Sequence, residues 1–266
     1  NGNLASASVD KTLRIWNPID GSLIRNITGN KNWLFSLDVL LNGNLASGLD
    51  DGTIKIWNPE DGSLIRTLSC HTDKITSLAF LPNGNLASGS RDKTIRLWNP
   101  IDGSSIRTLT GHTDRITSLA VLHNGNLASG SEDQTISIWN PNNGSLIRTL
   151  TGHTSSVYSL VALPNGLLAS GSGFEDYVIN IWNPDDGLLI RTVGRGQTWS
   201  VRSLAALPNG FLASASDDMT VKIWNPNDGS LIQTLNGHTS KVKSLAVLPN
   251  GNLARGSRDD TIKIWK

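Results

Sequence analysis

Apolar and polar residues alternate along this chain in short runs, broken at close intervals by Gly, Pro, Asn or Asp. ITSLAFL (75 to 81), NLASGS (85 to 90), TIRLWN (94 to 99) and SIRTL (105 to 109) are representative. Such runs favour strands, and none carries the longer stripe of an amphipathic helix. Asn83-Gly84 and Asp61-Gly62 stand between runs. Dipeptides of this kind mark two-residue hairpins whose central residues both take positive φ. The pattern predicts antiparallel strands of about five or six residues joined by turns of about four.

The pattern also repeats. Trp16, Trp57, Trp98, Trp139, Trp182, Trp224 and Trp265 are separated by 41, 41, 41, 43, 42 and 41 residues. The unit reads roughly HTDxITSLAxLPNGNLASGSxDxTIxIWNPxDGSLIRTLTG, with seven copies of the half running from NGxLA to Trp and six of the connecting half. In TIRLWN, Ile95 and Leu97 point one way and Trp98 the other, so a four-stranded sheet has two apolar faces and needs a neighbour on each. Radial stacking provides them, and small residues such as Ser77 and Ala79 suit a crowded centre. The expected fold class is all-β: a seven-bladed β-propeller of four-stranded antiparallel blades. Its terminal blades are incomplete, the first lacking its innermost strand and the last its outermost. The alternative is a six-bladed closure, in which the last innermost strand completes the first blade. Residues 1–266 are read as one domain and as a fragment of a longer protein, because the chain starts and stops inside a repeat.

Composition narrows the function classes. The 266 residues are 38% hydrophobic and 17% charged, which is the balance of a folded chain. Its 23 basic and 22 acidic residues nearly cancel, removing the broad positive field of a general nucleic-acid or anionic-membrane binder. A single cysteine, Cys70, excludes an intramolecular disulfide and a paired-cysteine zinc site. It favours a reducing, intracellular and cytoplasmic setting. No apolar run approaches the ~20 residues that span a bilayer. Neither cofactor nor metal is expected.

His71, Ser88 and Asp92 lie within one short span, and this spacing raises the question of a hydrolase triad. No copy supplies a nucleophile elbow, and Trp98 adds a fourth polar partner. His71-Thr72, the run to Asn83-Gly84, then Ser88, Asp92 and Trp98-Asn99 resemble the WD-repeat family of β-propellers, and the resemblance covers essentially the whole chain. The family's Trp-Asp is Trp-Asn in six copies and Trp265-Lys266 in the last.

The resemblance implies a hydrogen-bonded tetrad inside each blade. A hairpin centred on Lys93 would set Ser88 opposite Trp98, with the indole donating to the serine, the serine to His71, and His71 to Asp92. Complete tetrads are expected at His71/Ser88/Asp92/Trp98 and His112/Ser129/Asp133/Trp139, and also at His153/Ser170/Asp176/Trp182. Asn30 and Gln197 stand at the histidine position of other copies, and Arg255 replaces a serine. Those blades are expected to be softer.

The resemblance further implies that partner contacts fall three and five residues past the histidine position and just before the tetrad aspartate. The expected recognition residues in the first half of the chain are Trp33, Phe35, Lys74, Arg91 and Arg115. In the second half they are Tyr158, Phe174, Trp199, Arg202, Lys241, Lys243 and Arg258. Trp33 and Phe35 have the composition of an interface hot spot, the alternative being local packing that compensates for Asn30.

The leading expectation is a non-enzymatic scaffold docking a protein or peptide, with no small-molecule substrate and no membrane. An acidic or phosphorylated peptide is the alternative, since Arg clamps such groups with paired hydrogen bonds. Nucleic-acid binding through the Lys/Arg positions comes third. An enzyme using the central channel is disfavoured by first strands that offer Thr, Ser, Leu and Ala.

Overall fold

The computed structural model describes residues 2–69, 71–173, 176–194 and 199–265, and every regular element among them is a β-strand. The third repeat shows how its sequence is used. Ile75–Phe80, Leu86–Ser90, Ile95–Trp98 and Ser105–Leu109 form one antiparallel sheet, neighbours in space as in sequence. Seven such sheets follow one another along the chain. The first holds Leu4–Ala7, Leu13–Trp16 and Leu23–Ile27; the last holds Val242–Val247, Leu253–Ser257 and Ile262–Trp265; the five between have four strands each. Val242–Val247 pairs with Leu253–Ser257, so the count is seven and the six-bladed alternative is set aside.

The turns differ from the expected two-residue form. Leu81 N donates to Asn85 O at 2.8 Å and Gly84 N to Leu81 O at 3.0 Å, closing a three-residue loop. Only Gly84 takes positive φ, 86°, while Asn83 Oδ1 accepts from Asn85 N at 3.1 Å. The Asp61-Gly62 loop is one residue longer, closed by Asn58 N to Ser63 O at 3.0 Å, and Asp61 Oδ1 caps Ser63 N. The glycine thus takes the last, left-handed place, and the short polar residue before it caps the turn.

The hairpin at Arg91-Asp92-Lys93 has the same three-residue form, with Lys93 at φ 70°. It is centred on Asp92 rather than Lys93, so Ser88 faces Arg96 and Trp98 faces Leu86. The expected direct pairing of Ser88 with Trp98 is therefore corrected to a diagonal one, still within reach of an indole.

The chain divides into two compact units, Asn1–Val121 with Asn140–Ser145, and Leu122–Trp139 with Leu146–Lys266. In the first, Ile54, Ile56 and Leu68 of the second sheet bury against Ile75, Leu86 and Trp98 of the third. Gly89 lies so close to the next strand that an added Cβ would meet Ile116 Cγ2 at 2.5 Å. In the second unit, Ile179, Ile181 and Val193 pack in the same way on Val201, Leu212 and Trp224.

Two polar links recur between stacked sheets. Small inner-strand residues accept from the next inner strand, as in Leu119 N to Ser77 Oγ (3.0 Å) and Leu204 N to Ser159 Oγ (2.9 Å). Outermost-strand arginines reach carbonyls of the next sheet's Asp-Gly turn, Arg66 to Asp102 O at 2.8 Å and Arg191 to Asp228 O at 3.1 Å. No described helix is long and apolar enough to cross a membrane.

Candidate functional site

The polar residues that first suggest catalysis are bound to one another. Trp98 Nε1 donates to Ser88 Oγ at 2.8 Å, Ser88 Oγ lies 2.8 Å from His71 Nε2, and His71 Nδ1 lies 2.7 Å from Asp92 Oδ2. One proton order satisfies every atom: indole to serine, serine to Nε2, Nδ1 to carboxylate. Ser88 is fully buried and His71 nearly so, which leaves the hydroxyl no room to meet a substrate. Burial opposes ionisation of Asp92, but hydrogen bonds from His71 and Thr94 hold its carboxyl well below the usual range. The fifth repeat repeats the arrangement, with Trp182 to Ser170 at 2.7 Å, Ser170 to His153 at 2.7 Å and His153 to Asp176 at 2.8 Å. In the fourth, Trp139 donates to Ser129 at 2.8 Å, Asp133 accepts from Thr135 at 2.6 Å, and His112 is buried.

Thr94, two residues past the aspartate, is a partner that the sequence reading passed over. Its N and Oγ1 donate to Asp92 Oδ1 at 3.0 and 2.6 Å. Thr12, Thr53, Thr135, Thr220 and Thr261 do the same in their own sheets. The recurring Asp-x-Thr was the available signal.

Where histidine is missing, a cation two residues before the Trp enters instead. Lys222 Nζ donates to Asp218 Oδ2 at 2.5 Å, Lys55 Nζ to Asn30 Oδ1 at 3.1 Å, and Arg14 pairs with Asp10 at 2.8 Å. Gln197 and Cys70 lie outside the described residues. The last repeat fails differently. Arg255, buried at the serine position, donates to Leu235 O and Asn236 O, while His238 Nε2 is buried without a partner.

The variable positions share a backbone device. Inner-strand register slips between Leu34 and Ser36, Ile75 and Ser77, Val157 and Ser159, Val201 and Ser203, and Val242 and Ser244. The residues at these slips, Phe35, Thr76, Tyr158, Arg202 and Lys243, are β-bulges and leave the in-out alternation of their strands. Backbone bonds bring the other two positions together: Asp50 N to Trp33 O (3.1 Å), Arg91 N to Lys74 O (2.9 Å), Asp217 N to Ser200 O (3.1 Å) and Arg258 N to Lys241 O (3.0 Å). Phe174 and Glu175 lie outside the described residues.

In the first unit these positions build an aromatic and basic cluster. Trp33 keeps 49% of its surface exposed and meets Phe35 edge-on, ring centroids 6.3 Å apart. Lys74 Nζ stands over the Phe35 ring. Burial, with help from Arg91 and Arg115, lowers the Lys74 ammonium to about 8 against the pull of Asp50. At the absent histidine's place, Asn30 Oδ1 is engaged by Lys55.

In the second unit three cations pair with one carboxylate and a fourth stands beside them. Asp217 Oδ2 accepts from Arg202 (2.7 Å) and Lys241 (3.3 Å), and Oδ1 from Lys243 (2.7 Å). Its burial is outweighed by the bonds from Arg202 and Lys243, which hold the carboxyl well below its ordinary value. Arg202 lies over Tyr158 with its Cζ 4.5 Å from the ring centroid, and Lys241 Nζ is 6.0 Å from that of Trp199. Arg258 is exposed beside them, close enough to Lys243 to disfavour its charge.

Besides the bulge residues, one acid departs from the Thr, Ser, Leu and Ala expected on the inner strands. Asp38, on Leu34–Val39, stands where the third copy has Ala79. Its carboxylate accepts from Phe80 N at 2.7 Å and Val39 N at 2.8 Å, and burial raises its pKa. Among the described residues no group of three or more His, Cys, Asp and Glu side chains is placed to hold a metal ion.

The family model described as WD40, WD domain, G-beta repeat, matches residues 1–17, 21–58, 62–99, 103–140, 144–183, 187–225 and 229–266, nearly the entire chain. Among curated proteins, none matches it.

Proposed function

Because the chain belongs to the WD40 family, whose propellers generally serve as protein-interaction scaffolds and are typically non-enzymatic, we propose that it docks a protein or peptide through its bulge positions and their neighbours. The observation that carries this reading is Trp33, half exposed and steadied by Phe35. An aromatic side chain held rigid at the surface supplies a large contact area at little entropic cost, as interface hot spots do. Lys74 over the Phe35 ring, with Arg91 and Arg115 near enough to act on its charge, would help set the orientation of the partner. WD40 proteins are commonly intracellular, and we take this chain to act there.

Peptides selected on the parent protein from a displayed random library provide the test. Trp33→Ala is expected to weaken them by about tenfold or more, the size of a hot-spot loss. Undiminished binding would remove the proposal. A second reading, an acidic or phosphorylated peptide, is favoured by the cations around Asp217 in the second unit. Nucleic acid is the weakest of the three. It predicts a steep fall of affinity with salt, and the balance of 23 basic against 22 acidic residues gives it little support.

A further inference from the structure

We infer that the cluster formed by Arg202, Lys241, Lys243 and Arg258 around Asp217 takes the phosphoryl group of a phosphorylated peptide in preference to a carboxylate. This rests on the acidic-peptide reading and narrows it.

Asp217 is a fixed counter-ion. Its side chain is 3% exposed, and its backbone N is tied to Ser200 O. It holds Arg202 and Lys243 by separate oxygens at 2.7 Å, so the two cations are positioned before any ligand arrives. It also neutralises only one of the four charges. Lys241 and Lys243 each have three donors and give one to Asp217, and their side chains are 40% and 31% exposed. Arg258 opens to solvent.

A carboxylate entering here duplicates what Asp217 already supplies: one charge and two acceptor oxygens. A phosphoryl group brings a charge of about −1.5 to −2 and three acceptors, and matches the surplus of donors and charge. Trp199, 52% exposed and near Lys241, offers an apolar rest for the adjoining residue. The site favours a peptide over a nucleic acid because the surplus is compact. Binding to a phosphodiester backbone draws instead on several spaced contacts.

The probes are acetyl-Gly-phosphoserine-Phe-Gly-amide and its Ser and Glu counterparts, titrated into the full chain. The readouts are calorimetry and the indole N–H resonance of Trp199. The phosphoserine peptide is expected to bind and shift that resonance, with the Glu peptide weaker by about tenfold and the Ser peptide silent. The double variant Lys241→Met, Arg258→Met leaves Asp217 paired with Arg202 and Lys243, so the fold is kept. It is expected to lose about tenfold for the phosphoserine peptide.

Equal affinity for Glu and phosphoserine overturns the preference and leaves the acidic-peptide reading standing. Silence from both overturns this inference and that reading together, while binding at Trp33 is judged separately by the displayed peptides. An unchanged affinity in the double variant, or a short single-stranded oligonucleotide that outcompetes the phosphoserine peptide, assigns the phosphate elsewhere and also overturns it.

Discussion

At the level of single residues, the repeats differ most tellingly where one copy has had to replace a part. Lys222 and Lys55 donate where an imidazole stands elsewhere, and they come from the middle of the sheet rather than from the connecting segment. Each acts on an acceptor oxygen that its own repeat supplies, Asp218 Oδ2 or Asn30 Oδ1, while the buried Asn30 Nδ2 goes unmet. The turn after each brace serine shows a different tolerance. Gln134, Lys93 and Met219 hold φ near 70°, a left-handed conformation that costs a side chain about 1 to 2 kcal/mol. Gln134 is exposed, so Gln134→Gly should raise stability by about 0.5 to 1 kcal/mol after the greater freedom of glycine in the unfolded chain is subtracted. A urea midpoint that moves down would contradict this. The corresponding glycine, Gly52, is not open to the reverse exchange, since its Cβ would meet His71 O at 2.5 Å.

At the level of the strand and sheet, the hydrogen-bonded brace is the cohesive unit. Ser88→Ala removes the atom that joins Trp98 to His71, and stability is expected to fall by about 1 to 3 kcal/mol as two buried groups lose their partner. The last sheet offers the opposite experiment. There a guanidinium is buried at the serine position and His238 Nε2 goes unmet, so Arg255→Ser should rebuild the missing link and raise stability by about 1 kcal/mol. Thermal unfolding of the two variants side by side checks both, and a loss for Arg255→Ser would show that the guanidinium bonds to Leu235 O and Asn236 O outweigh the brace.

Strands and period were legible in the sequence because strand identity rides on local alternation and turns on Gly, Asn and Asp. Hairpin registers were misplaced, Ser88 facing Arg96 rather than Trp98, since the dipeptides Asn83-Gly84 and Asp61-Gly62 look alike whether they close a two-, three- or four-residue loop. The bulges left no local trace at all. Phe35, Thr76, Tyr158, Arg202 and Lys243 have no chemistry in common, and only the pairing with the next strand reveals what they share. The interblade arginines were hidden for the same reason, because Arg66 and its carbonyl at Asp102 stand far apart in the chain.

For the molecule as a whole, acid is the condition that acts on many repeats at once. Asp92, Asp217, Asp218 and Asp259 each have a folded pKa below the ordinary 3.8, burial being outweighed by their hydrogen bonds. The stabilisation from such a group is complete above the unfolded value and is lost as pH falls through the folded one. Asp38, raised by burial, has the opposite sign and gains as it protonates. Asp176 is lowered in the same way, and with lowered carboxyls outnumbering the raised one, the urea midpoint should be nearly level from neutrality to mild acid and drop below about pH 4. A midpoint that rises there would mean that desolvation, as at Asp38, governs the others too.

The slips in the inner strands have an evolutionary consequence. A side chain that has left the alternation of its strand belongs to neither the apolar face nor the polar one, so different chemistries find partners there, Thr76 at the carbonyls of Gly89 and Ile116, Arg202 and Lys243 at Asp217. Aromatic, hydroxylated and basic residues already occupy the place in different repeats of one chain. Each repeat is thus a frame with one replaceable letter, and a new specificity can be spelled by changing letters one at a time while the frame stays as it is.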